Sequence, residues 1–135
     1  MISIQPIEAK QAWPIRHKVM YPEKDFDDIK LPLDSEGLHF GLFDHDQLIS
    51  VVSYFPDGNQ AQFRKFATLE EKQGSGYGGK LLQFIIDYSK SAGIKRLWCN
   101  ARKNAVGFYQ KYGFTETNRT FNQDGHEFVI IELGL

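Results

Sequence analysis

Four glycines fall within seven residues in Gln73-Gly74-Ser75-Gly76-Tyr77-Gly78-Gly79. Glycine lets backbone amides approach an anion closely and tolerates the left-handed conformations of tight loops. An amphipathic stretch follows, so the loop would open onto a helix N-terminus, where unpaired amides and the helix dipole favour negative charge. This spacing suits the binding of a phosphate or pyrophosphate by backbone alone. The plainer alternative is a flexible strand-to-helix link.

Two familiar phosphate motifs fail on context. Gly74-x-Gly76-x-x-Gly79 matches the dinucleotide fingerprint in letters, but that motif belongs directly after a first parallel strand, with an acid about 20 residues on. Here it lies mid-chain and position 99 is Cys99. A nucleoside-triphosphate loop would need Ser or Thr after Gly79-Lys80, where Leu81 stands.

Other reactive side chains are scattered. Cys99 sits in an apolar run, where a cysteine usually serves as a small core residue. His39 and His126 are candidate general bases, although structural hydrogen bonding is the more common role of such histidines. His17 and His45 read as surface or packing residues. The four histidines show no ligand spacing of the H-x-x-x-H kind, and no metal is expected.

The elements that must position these residues can be read from periodicity. Ile2, Ile4 and Ile7 suggest a first strand, and residues 11–20 a helix with Pro14 in its first turn. Residues 21–37 carry Pro22, Pro32 and six acids and read as a loop with one helical turn. Residues 38–43 and 47–55 are strands joined at Asp44-His45-Asp46. Pro56-Asp57-Gly58-Asn59 turns the chain into a third strand over 61–68. Residues 76–91 form a helix with a broad buried face, ended by Gly93. A strand over 94–101, a helix over 104–112 stopped at Gly113, and strands over 114–121 and 127–133 complete the chain. The fold expected is α/β, a mixed, mainly antiparallel sheet of six or seven strands with about four helices. Residues 1–135 read as a single domain without repeats or linkers.

Composition excludes several partners. A net charge of −1 and a pI near 6.4 supply no global field for nucleic acid or anionic membrane. The lone cysteine forbids an intramolecular disulfide, and the N-terminus lacks a signal-peptide pattern. A cytoplasmic location is expected.

Gln73-x-x-Gly76-x-Gly78 at a helix start resembles the pyrophosphate-binding motif of the GNAT acyltransferases, whose pattern is Arg or Gln, two residues, Gly, one residue, then Gly or Ala. Ala105-Val106-Gly107-Phe108-Tyr109 followed by Gly113-Phe114 resembles the second signature of that family. The two motifs are separated by one helix and one strand, as in the family, and the resemblance spans residues 38–133. Arg16-His17-x-Val19-Met20, Asn100-Ala101-Arg102 and Gly125-His126 are similar to segments of a subgroup of small bacterial members.

The resemblance implies acetyl-CoA as cosubstrate and direct attack by a primary amine in a ternary complex. It implies a pantetheine arm lying between the strands at 61–68 and 94–100, paired like an added strand. Backbone contacts are implied at Phe66, Ala67 and Thr68, and pyrophosphate contacts at Gln73, Gly74, Ser75, Gly76, Tyr77, Gly78 and Gly79. An amide near Phe66 would stabilise the oxyanion. Asn100 and Arg102 would lie at the cofactor or the substrate, with an ordinary surface arginine the equal alternative for Arg102. Tyr109 takes the position of the catalytic phenol, and a pKa of about 10 keeps it protonated as a donor to the leaving thiolate. No acid lies within the two strands that often carry the base, and Glu70 and Glu71 fall in the loop. That gap leaves open a non-catalytic acyl-CoA-binding or sensing module. The acceptor would be a small-molecule or peptide amine, and an exposed edge beside the closing strands would suit a homodimer.

Overall fold

The computed structural model describes every residue, Met1–Leu135. The chain forms two compact units, Met1–Phe55 with Phe63–Ile86, and Pro56–Gln62 with Asp87–Leu135.

In the first unit, β1 (Ile2–Ile7), β2 (Leu38–Asp44), β3 (Gln47–Asp57) and β4 (Gln60–Thr68) are neighbours in that order. β1 and β3 both lie antiparallel to β2. Asp44 pairs with Gln47, so His45 and Asp46 alone make the turn, at φ 51° and 69°. That double left-handed geometry matches the twist of hairpin strands. β3 is buried on both faces from Ile49 to Tyr54, which explains its near-continuous apolar run.

Helix α1 (Ala9–Ile15) covers one face, where Ala12 and Ile15 pack with Val51, Ala67 and Leu69. It begins two residues earlier than periodicity suggests, because the Gln11 side-chain oxygen accepts the Glu8 N–H at 2.8 Å. Pro14 therefore lies inside the helix, not in its first turn. It has no N–H for the preceding turn, and the chain continues as a wider π-helical turn over Arg16–Met20. Helix α2 (Tyr77–Ser91) buries Leu81, Leu82, Ile85, Ile86 and Ser89. That stripe is the one a 3.6-residue period dictates. Its Phe84 ring meets Phe40 edge-on at 5.2 Å.

In the second unit, Gln60, Ala61 and Gln62 of β4 pair in parallel with Arg96, Leu97 and Trp98 of β5 (Arg96–Arg102). β7 (His126–Gly134) is antiparallel to the whole of β5, and β6 (Thr115–Gln123) pairs outside it. The order here is β4-β5-β7-β6. Between Glu116 and Thr120 the β6 register shifts. Thr117 donates its hydroxyl to Ile130 O at 2.8 Å inside this bulge. Helix α3 (Val106–Gln110) is shorter than expected, with a 3-10 turn over Lys103–Ala105 before it.

The result is a seven-stranded, mostly antiparallel mixed sheet with three α-helices. Fewer helices form than the expected four because residues 21–37 hold only two 3-10 turns, Phe26–Ile29 and Asp34–Glu36.

Candidate active site

The glycine loop leaves β4 through a 3-10 turn over Glu70–Lys72. Gly74 and Gly76 have φ of 83° and 86°, a region where an L side chain costs about 1–2 kcal/mol. A Cβ added at either would meet nothing within 4 Å. These glycines are therefore demanded by backbone geometry, not by crowding. Lys80 N–H makes the first helical bond, to Gly76 O at 3.1 Å. The amides of Tyr77, Gly78 and Gly79 precede it and have no carbonyl within the helix. Open left-handed glycines leading into free amides on a 15-residue helix fit a diphosphate.

The strand end before the loop is braced from β3. Ser50 donates its hydroxyl to Ala67 O at 3.1 Å and lies 2.8 Å from the Thr68 hydroxyl. Leu69 N–H bonds Ile49 O at 3.0 Å. Gln73 reaches back to donate its side-chain amide to Thr68 O at 2.9 Å. Two residues before Ala67, Lys65 sits at φ 54° in the middle of β4. Its ammonium donates to the Tyr21 hydroxyl, which gives this inward-parity lysine a partner. The Phe66 ring meets Phe63 edge-on at 6.3 Å.

Tyr77 opens α2, and its hydroxyl donates to Asp44 Oδ2 at 2.7 Å. That bond, with others from the N-terminal ammonium and His45, holds the Asp44 carboxyl below its ordinary value against desolvation. The same bond, with burial, raises the Tyr77 phenol. The structure thus groups Phe66, Ala67, Thr68 and residues 73–79 around the β4 exit. Asp44 and Ser50 join them, although no motif marked either.

Tyr109, Cys99, Asn100 and Arg102 lie in the second unit. Tyr109 is half-buried. Its ring contacts Phe108 at 5.2 Å and Phe114 at 5.9 Å. Burial, reinforced by the Cys99 thiol, pushes the phenol well above its ordinary value. The group is a proton donor throughout the physiological range. Cys99 is 3% exposed and burial raises its thiol too, so it is a poor nucleophile at neutral pH. Asn100 is exposed and Arg102 half-buried. By strand alternation both project from the face opposite Cys99.

A buried polar network in the first unit joins Arg16 and His39 to Asp34 and Ser53, partners that no motif marked. Arg16 is fully buried and pairs bidentately with Asp34 at 2.9 and 3.2 Å. It also donates to Ile29 O at 3.1 Å and Ser53 Oγ at 2.9 Å. Burial would raise the Asp34 carboxyl, but bonds from Arg16, the Leu31 N–H and Trp13 outweigh it and hold the group low. His39 bonds Ser53 Oγ through Nδ1 and Asp34 O through Nε2, both at 2.8 Å. A carbonyl only accepts, so Nε2 donates to Asp34 O. His39 is built into this network, while His126 is exposed beside the Asp124-Gly125 turn.

A mostly antiparallel mixed sheet of this strand order, with a glycine loop opening α2, defines a class of α/β folds. Residues 9–135 match the family described as the acetyltransferase (GNAT) domain, and the chain belongs to it. It is 28% identical over 134 residues to the protein named uncharacterized N-acetyltransferase YitI of Bacillus subtilis (strain 168), covering 93% of this chain and 90% of that one. Solved structures share the fold. A GNAT family acetyltransferase from Elizabethkingia anophelis with acetyl-CoA bound has a TM-score of 0.78 at 21% identity, covering 99% and 98% of the two chains. The ribosomal-protein-S18-alanine N-acetyltransferase of Escherichia coli has a TM-score of 0.81 at 20% identity, covering 99% and 94%.

Proposed function

We propose that residues 1–135 act as one acetyltransferase domain that moves an acetyl group from acetyl-CoA to a primary amine, by direct attack in a ternary complex. The observation that carries this reading is the loop from Gln73 to Gly79. Its left-handed glycines stand in open space and lead into the free amides of α2. The acetyl-CoA bound in the Elizabethkingia anophelis structure supports the same donor.

In this reading the amides of residues 74–79 hold the diphosphate, and Phe66, Ala67 and Thr68 hold the pantetheine arm. Asn100 and Arg102 contribute at the end of β5. The amine nitrogen forms its bond to the acetyl carbon as the carbon–sulfur bond breaks. Tyr109 gives its phenolic proton to the departing sulfur, and the amine loses one proton to water or a base. The acceptor is a small-molecule or peptide amine, with neither nucleic acid nor membrane involved. No helix is long and apolar enough to cross a membrane. The β6 edge would serve a homodimer.

The test is thiol release from acetyl-CoA across an amine panel that includes polyamines, amino sugars and an alanine-initiated peptide. Acetyl-CoA should also raise the melting temperature well beyond NADH or ATP, since a ligand bound only by the folded state stabilises it. Equal shifts with NADH would return the loop to a plain connector.

One observation favours a second reading, an acyl-CoA-binding or sensing module. Neither Gln60–Thr68 nor Arg96–Arg102 contains a carboxylate. Tight acetyl-CoA binding with no turnover of any amine would select it.

A further inference from the structure

Nothing packs against the middle of the glycine loop. Residues 73–76 are exposed, and the space beside Gly74 and Gly76 is open to 4 Å. A loop of glycines without packing samples many shapes, and ordering it on binding would cost affinity. Its shape is instead held at its two ends by side-chain hydrogen bonds.

At the entry, Gln73 donates to Thr68 O at 2.9 Å. That carbonyl belongs to a strand end fixed by Ser50 and by the Leu69–Ile49 backbone bond. At the exit, Tyr77 donates to Asp44 Oδ2 at 2.7 Å. Asp44 ends β2 in direct pairing with Gln47, and His45 Nδ1 lies 2.7 Å from its other oxygen. Each tether therefore runs from the loop to a rigid part of the sheet.

We propose that Gln73 and Tyr77 are positioning residues for the donor's diphosphate, acting through Thr68 and Asp44 without touching the cofactor through their side chains. This rests on the acetyl-CoA reading above. The tethers pre-form the anion cradle, so their contribution concerns the part of the donor that carries phosphate. The acetyl-pantetheine portion gains nothing from them.

The experiment compares two ligands in calorimetry on the full chain, acetyl-CoA and acetyl-pantetheine, which lacks the diphosphate. Gln73→Leu and Tyr77→Phe should each weaken acetyl-CoA about three- to tenfold, the scale of one lost hydrogen bond. Binding of acetyl-pantetheine should stay unchanged. Amide exchange of residues 74–79 should quicken in the ligand-free variants. Asp44→Asn keeps an acceptor for Tyr77 and should retain near-normal acetyl-CoA binding, whereas Asp44→Ala should resemble Tyr77→Phe. Equal weakening of both ligands would signify general damage, and unchanged acetyl-CoA affinity would show idle tethers. Either overturns the proposal while leaving the donor reading intact. A wild-type protein that fails to bind acetyl-CoA sinks the donor reading and this one with it.

Discussion

The glycine loop and the surroundings of Tyr109 differ in opposite ways. The loop is exposed, carries almost no side-chain chemistry, and depends on backbone angles at Gly74 and Gly76. Tyr109 is half-buried beside the Phe108 and Phe114 rings, and in the proposed reaction it acts through one hydroxyl. In the proposed reaction exposure suits the first arrangement, because a diphosphate would have to enter and leave. Burial suits the second, because a phenol held above its ordinary pKa stays protonated and ready to donate. Damage to the loop should thus appear in binding, and damage to Tyr109 in turnover.

The largest expected effect is at Tyr109. Tyr109→Phe should lower kcat by about 10²-fold or more, the scale of one general acid, with acetyl-CoA affinity nearly unchanged. The raised phenol adds a pH signature. Wild-type turnover should not decline from loss of this proton near pH of about 10, where an ordinary tyrosine ionises. Rates from pH 7 to 10.5 in both proteins check this. Full activity in the Phe variant would withdraw the assignment and blur the contrast between the regions.

Gly76→Val should show the converse. A β-branched residue is a strong outlier at positive φ, and the open surroundings mean that strain, not collision, moves the loop. Acetyl-CoA affinity should weaken by about five- to thirtyfold, the equivalent of the roughly 1–2 kcal/mol that the left-handed conformation costs an L residue. Unfolding should change little, since Gly76 is exposed. Unchanged affinity by calorimetry would remove the loop from the site.

The two regions also differed in how far they could be read from the sequence. Glycines at 74 and 76 report backbone angles directly, so the loop and its helix were legible before any coordinates. Tyr109 was singled out only through the resemblance that runs from Ala105 to Phe114, because nothing in a lone helical tyrosine announces a proton donor. Asp44 and Ser50 were not legible, since their partners lie 33 and 18 residues away (Tyr77 and Thr68). Arg16 left a trace. It stands four residues after buried Ala12, on the inward stripe of its helix, where an arginine demands a buried acid. Pro14 misled in the other direction, because a proline's usual place in the first turn hid a helix starting at Ala9.

The smallest effect sharpens the contrast most finely, because it asks whether the region of Tyr109 contains one reactive group or two. Cys99 neighbours Tyr109 and helps raise its phenol, yet burial keeps its own thiol protonated. A thiol in that state does not attack a thioester at neutral pH. Cys99→Ala should leave kcat within about threefold, because burial and not the thiol is the main influence on Tyr109. Stability should fall by about 1 kcal/mol, the ordinary cost of a small core deletion. Iodoacetamide should modify the native thiol far more slowly than the urea-unfolded one. A collapse of turnover at unchanged melting temperature would place the sulfur in the chemistry. Cys99 would then be a nucleophile beside the proposed acid, and direct attack by the amine would give way to an acyl-enzyme route.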